Sequence, residues 1–183
     1  MREFPSSLGL SGSLLIAHPN LLDPNFRRGV LIISASDPQE GSFGLIVNRA
    51  TEKTVGELLP EQELGVLGEL PVFIGGPVAR DQLTFAAFDW VDESMQIRTH
   101  LLLDEARELA NGDGGVVRAF LGYSGWTKGQ LEAEVAQKAW LVQKPDQDIL
   151  DIEKCLDLWP TIMREQGPWF RLLASTPDDP SLN

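Results

Sequence analysis

"FLGYSGWTKGQLEAEV" (residues 120–135) passes from an apolar run through two glycines and a serine into an amphipathic segment. The pattern predicts strand, tight turn and helix. An α/β-hydrolase presents its nucleophilic serine at such a bend, on a strained elbow with small residues two positions to either side. Gly122 meets that requirement, but Trp126 fills the second position. That fold also orders its triad as Ser, acid, His, whereas His18 and His100 both precede Ser124. Other folds order the triad differently, so one template falls rather than all serine chemistry. Gly122, Ser124 and Gly125 are therefore read as small because two backbones approach there, with Ser124 a turn residue. Thr127 and Gln130 have capping-box spacing, and Leu131, Val135 and Ala139 form the buried stripe of the helix that follows.

Upstream of this stretch, "SLLIA" (13–17), "GVLIIS" (29–34) and "FGLIVN" (43–48) are short apolar runs bounded by turn formers, hence strands covered on both faces. Their connections are too short for a crossover helix, which favours antiparallel or mixed pairing. Residues 54–59 read as a short helix and the Glu-rich residues 60–71 as a mobile loop. Further strands are expected at 72–76, 82–90, 95–103 and 116–123. A helix is expected over 104–115, capped by Asp104 and ended by Asn111-Gly112. Residues 139–145 leave the next helix as a strand. Ile152, Leu156, Trp159 and Met163 fall on one helical face. Pro160 must break or restart that helix, and Gly167 closes it. With 183 residues the chain is one domain, residues 1–174, followed by a polar tail, 175–183, expected to be disordered.

Charge narrows the function. The net charge of −12 and dispersed basic residues, with Arg27-Arg28 an adjacent pair, oppose the clustered cations that nucleic acid needs. No apolar run reaches membrane-helix length, and the N-terminal residues lack a secretory pattern. A single cysteine, Cys155, forbids an internal disulfide and suits a reducing compartment, so the expected location is cytoplasmic. Two separated histidines and one cysteine give no zinc pairing; no metal and no cofactor are expected. His18 and Asp23 belong to a surface turn, and Cys155 to a buried helix stripe.

Two polar groupings remain. Gly75 and Gly76, with Arg80, match neither phosphate-loop fingerprint; they form either a small anion nest or a tight turn. Asn48 and Arg49 leave an apolar strand. They either tie the strand end to "DPNFRR", with Asp23 and Arg27 or Arg28 supplying the tie, or bind a ligand.

Several stretches together resemble the bacterial YqgE/AlgH family: "LLIAHPNLLDPNFRRGVLII" (14–33), "GSFGLIVNRA" (41–50), "PVFIGGPV" (71–78) and "FLGYSGWTKGQLEAEVAQKAWLV" (120–142). The "GGPV" and "GY-small-GW-x-x-GQLE-x-E" pieces carry the specificity. The resemblance implies an α/β fold of the α+β type, a branched mixed or antiparallel β-sheet curled into a pseudo-barrel with helices outside. It brings a transcriptional-regulator label, through AlgH and alginate production, but no enzyme activity, and no helix-turn-helix pattern supports the label here. Where relatives commonly carry "EH" and "LH", this chain has Ser36-Asp37 and Ala87-Phe88, so no histidine-dependent role transfers to those positions. Relatives often have Ala at the position of Ser124. The resulting expectation is a non-enzymatic cytoplasmic protein that binds an unknown protein or small-molecule partner, its oligomeric state open. The candidate cluster is Asp23, Arg27, Arg28, Asn48, Arg49, Gly75, Gly76, Arg80, Gly122, Ser124, Gly125 and Trp126. The rivals are a direct DNA-binding regulator and a hydrolase using Ser124 with His18 or His100.

Overall fold

Nine strands pair into one branched sheet in a computed structural model that describes residues 9–37, 39–112 and 115–175. The strands are β1 (Leu14–Ala17), β2 (Val30–Asp37), β3 (Gly41–Ile46), β4 (Ala50–Thr54), β5 (Pro71–Ile74), β6 (Val78–Val91), β7 (Ser94–Leu101), β8 (Val116–Trp126) and β9 (Trp140–Gln143). Their order is β4-β5-β8-β3-β2-β1-β9, with β6 joined to β8 and β7 to β6. Every pairing is antiparallel except β5 with β8. The sheet curls strongly into a half-barrel, and bulges in β2–β3, β6–β7 and β6–β8 supply extra local twist. This is the α+β, branched and curled architecture that the family resemblance implies.

The strands alternate between cores. Leu14, Ile16, Val30, Ile32 and Leu45 face one core with Phe73, Phe88 and Phe120. Leu15, Ala17, Leu31, Ile33 and Ile46 face another with Trp126, Leu131 and Trp140. A third core, containing Val72, Phe85, Ala87, Val117 and Ala119, lies under Val55, Leu67 and Ala106. Both faces of the central strands are thus covered, as their unbroken apolarity requires. The Leu83–Phe85–Ala87 face joins the third core, but Ala86 and Phe88 behind it are equally buried.

Helices α1 (Val55–Leu58), α2 (Leu103–Asn111), α3 (Gln130–Ala136), α4 (Ile152–Leu156), α5 (Leu158–Glu165) and α6 (Pro168–Ala174) complete the fold. Several differ from the sequence expectation for local reasons. Residues 60–71 are not a free loop: a 3-10 turn at Gly65–Glu69 carries Leu64 and Leu67 into the third core. Asp104 is inside α2 and pairs with Arg107 at 3.3 Å; the exposed amide of Leu102 is capped instead by Glu105. The expected C-terminal helix divides at Asp157 into α4 and α5, and Pro160 sits in the first turn of α5, where its missing N–H costs nothing. Gly167, with φ +129°, follows the C-cap of α5, as expected, and also opens a further helix, α6. Of the polar tail, only Ser175 lies within the described residues.

The branch centres on β8. It pairs with β6 along Val116–Leu121, with β5 along Ala119–Leu121, and with β3 along Ser124–Trp126. At this junction the Gly75-Gly76 segment lies directly against Gly122-Tyr123-Ser124. A Cβ on Gly76 would sit 2.2 Å from the Tyr123 carbonyl, and one on Gly75 would sit 2.3 Å from the Gly122 oxygen. Gly122 has φ +70° and is itself pressed between the Val78 and Gly76 carbonyls. Backbone atoms cannot retreat here without breaking three strand pairings. Gly76→Ala should therefore destabilise by more than about 3 kcal/mol in chemical denaturation. Gly129→Ala, where φ is +71° but a Cβ meets open space, should cost only about 1–2 kcal/mol.

Candidate functional site

The strand β8 runs unbroken through Ser124, and the chain turns only at Thr127–Gly129 before α3. The turn expected at Ser124 does not form. Ser124 is fully buried, and its hydroxyl donates to the Gly75 carbonyl at 3.1 Å, bridging the two crossing segments. The Gly75 amide donates to the Leu121 carbonyl, so it is not turned toward an anion. Gly75, Gly76, Gly122 and Ser124 form a structural junction; the Arg80 backbone packs against Gly122, and its guanidinium donates to Asn25 Oδ1 at 3.3 Å. Gly125 pairs with Phe43 in the sheet.

Trp126 is buried beside α3. Its indole and that of Trp140 both donate to Glu134 Oε2, at 3.0 and 2.8 Å. The predicted capping box is half formed. Gln130 Oε1 accepts from the Thr127 amide, but the Thr127 hydroxyl also turns to that oxygen instead of capping a helix amide. Phe26 stacks on Trp126 and meets Trp140 edge-on, with centroids 6.1 and 5.5 Å apart. This aromatic cluster anchors the loop that bears Arg27 and Arg28.

Asn48 and Arg49 hold the other side of that loop. Asn48 Oδ1 accepts from the Val30 amide at 2.8 Å, and its Nδ2 donates to the Arg28 carbonyl at 2.9 Å. Arg49 Nη2 donates to the Arg27 carbonyl at 2.6 Å, and Nη1 to the Asn25 carbonyl. The tie to "DPNFRR" is therefore real but is made on backbone carbonyls. The Asp23 carboxylate turns back to the Asn25 amide at 2.8 Å and acts on Arg49 only through space. Burial first, then the Arg80 charge, lower the Arg49 pKa, with Asp23 opposing them.

Between this loop and the α4–α5 junction lies a cavity of about 530 Å³. Arg27, Arg28, Asn48 and Arg49 form its polar wall; Pro24, Leu156, Trp159 and Pro160 form the apolar one. The Arg28 guanidinium lies over the Trp159 ring, 5.0 Å from its centroid. Trp159 is fixed by burial and by donation to the Ala17 carbonyl at 2.8 Å. Leu156 escapes the buried helical face assigned to it, because the chain bends after α4, and remains 53% exposed at the cavity. The cavity's second wall was hidden in sequence; the Trp159-Pro160 pair beside a helix break was its one signal.

The other candidates are scattered. His18 caps a surface turn through Nδ1 and contacts Phe170; burial, then Lys138, lower its pKa. Cys155 is buried and donates to the Ile149 carbonyl, and burial raises its pKa against the opposing charge of Arg118. Arg118 is a buried cation that sequence reading missed. It donates to the same carbonyl at 2.6 Å and lies between Phe73 and Phe88, while its Nε has no partner among the described residues. No cluster of metal-ligating side chains occurs among the described residues, nor does any helix long and apolar enough to cross a membrane.

A family model described as AlgH-like matches residues 14–171. The chain belongs to the AlgH-like family. A UPF0301 protein of Thermobifida fusca is 36% identical over the full length of both chains. One from Streptomyces coelicolor is 37% identical over 95% of each. Among solved structures, the AlgH protein of Pseudomonas aeruginosa matches with a TM-score of 0.64 and 26% identity, over 98% of this chain and 100% of that one. A Corynebacterium diphtheriae protein shares the fold with a TM-score of 0.69 and 21% identity, over 96% of this chain and 95% of that one. The molecular function of the AlgH-like family is not established.

For this AlgH-like chain, Ser124→Ala removes one of the two donors to the buried Gly75 carbonyl and leaves the Ile46 amide, so it should lose about 0.5–1.5 kcal/mol in denaturant titration. A serine-reactive phosphonate should leave the native protein unlabelled by mass spectrometry, since the hydroxyl is sealed from solvent.

Proposed function

We propose that this protein is a non-catalytic, cytoplasmic binding protein that recognises an anionic ligand in the Arg27–Arg28–Arg49 cavity. The observation that carries the reading is local charge reversal. Three guanidiniums meet at one concavity on a chain of net charge −12, and no carboxylate among the described residues lines it. Like charges are brought together against their own repulsion, an arrangement that an incoming anion relieves. Arg49 spends its outer nitrogens on the loop, so it positions Arg27 and Arg28 and adds field. Arg27 supplies a forked donor suited to an oxyanion, and Arg28 adds its charge.

Regulation, on this reading, is indirect. The ligand's presence is sensed at the cavity, and the outcome passes to a partner rather than to DNA. A polyanionic duplex would meet the acidic remainder of the surface, whereas a small ion sits within one screening length of the arginines, about 8–10 Å at ordinary salt.

Titration of the 15N-labelled protein with inorganic pyrophosphate tests the site. Amides of residues 25–28 and the Trp159 indole should shift in a saturable way, and the R27A/R28A double variant should weaken the response by about a hundredfold, tenfold for each cation removed. Shifts confined to other surfaces, or no saturable shift, would overturn the reading.

A further inference from the structure

The third core opens at one end into a groove of about 520 Å³ lined almost entirely by leucine. We propose that this groove receives a basic, leucine-bearing amphipathic helix of a partner protein. No residue lines both this groove and the anion cavity, so the two sites are independent.

The floor of the groove is Phe85, 4% exposed. Leu58 and Leu59 at the end of α1, Leu83 on β6, Leu121 on β8, and Leu101 and Leu103 at the β7–α2 corner form its walls. Each of these six packs against the third core yet stays partly open. Leu102, between β7 and α2, is 70% exposed, and its amide is held by Glu105. Leucines left wet in one continuous concavity mark a surface that another apolar surface covers.

Charge selects the occupant. Asp81 is the one charged residue lining the groove among those described. Its carboxylate has no hydrogen-bond or ion-pair partner among the described residues. The neighbouring cations are committed elsewhere. The Arg80 guanidinium donates to Asn25 Oδ1 at 3.3 Å, while Arg107 donates to the Glu63 carbonyl and pairs with Asp104. Helix α2, whose first residue lines the groove, sets Asp104, Glu105 and Glu108 against that one arginine. The whole chain carries −12. A lysine or arginine on the occupant thus meets an uncompensated carboxylate at the groove and an attractive field on approach. A helix meets both demands, because residues three and four apart share a face: apolar ones enter the groove while a basic one at its margin reaches Asp81.

Titration of the methyl-labelled full chain with a leucine–lysine amphipathic peptide of about 15 residues, long enough to hold a helix, tests the groove. Methyl signals of Leu83, Leu102 and Leu121 should shift in a saturable way, and a leucine–glutamate counterpart should shift none of them. Leu102→Asn and Asp81→Asn should each weaken the peptide by about tenfold, the scale of losing one anchor from an interface. Asparagine suits the N-cap of α2 that Leu102 occupies, so the fold persists, which thermal unfolding checks. Binding indifferent to both substitutions, or shifts spread over the acidic surface, would reduce the effect to net charge and overturn the proposal. No saturable binding would overturn it as well. Hexylammonium binding as tightly as the peptide would give the groove to a small amphiphile instead. An oligomer seen in sedimentation that Leu102→Asn dissociates would give it to a second copy of the chain.

Discussion

The fold depends on a contact with no side chain in it. At Gly75-Gly76 and Gly122–Ser124, two backbones pass closer than any Cβ permits, 2.2–2.3 Å from where one would stand. This approach lets β5 and β3 share the strand β8, so a single sheet branches instead of splitting into two. The crossing also creates a polar problem, because the Gly75 carbonyl is carried into a place closed to water. The amide of Ile46 and the hydroxyl of Ser124 both donate to it. Ser124 is thus a solution to backbone desolvation, and the smallness of its neighbours follows from packing.

From this junction the cavity's position follows. The β3 strand leaves the branch, pairs with β2 and ends at Ile46, two residues before Asn48, which accepts from the Val30 amide and donates to the Arg28 carbonyl. One asparagine therefore terminates the ladder and holds the loop that precedes β2. Arg49 continues the task on the Asn25 and Arg27 carbonyls, and Phe26 pins the loop from its opposite side against Trp126 and Trp140. Arg27 and Arg28 are consequently presented from a loop fixed at both flanks. Such rigidity favours binding, since little conformational freedom is left to lose.

Strands were legible in the sequence wherever both faces were apolar, as in residues 13–17, 29–34 and 43–48, because burial alone decides those runs. The smallness around Ser124 was legible for the same steric reason. The strand β4, "ATEKT", was not: it lies at the sheet edge with mixed exposure, so neither apolarity nor alternation marks it. The 3-10 turn at 65–69 was hidden by its acidic neighbours, although Leu64 and Leu67 carry its burial. For the site, Asn48, Arg49, Arg27 and Arg28 stood out as polar residues at a strand end. Their partners Leu156, Trp159 and Pro160 did not, because more than a hundred residues separate them and only the sheet's curl brings them together.

Arg118 shows how the same core handles charge when no ligand is available to it. It is 2% exposed and lies between two phenyl rings. Its charge is met by ring faces, the Ile149 carbonyl and the Cys155 sulfur. Desolvating a cation is costly unless its donors are satisfied, and here one nitrogen is not. What the arrangement gains is position. The guanidinium fastens the turn at Ile149 and the helix carrying Cys155 to β8, the strand on which the sheet branches. That helix ends at Leu156, and the next begins at Leu158 with Trp159 and Pro160. A buried cation on β8 therefore helps set the apolar wall opposite the half-buried arginines, linking the branch point to the cavity by one continuous set of contacts.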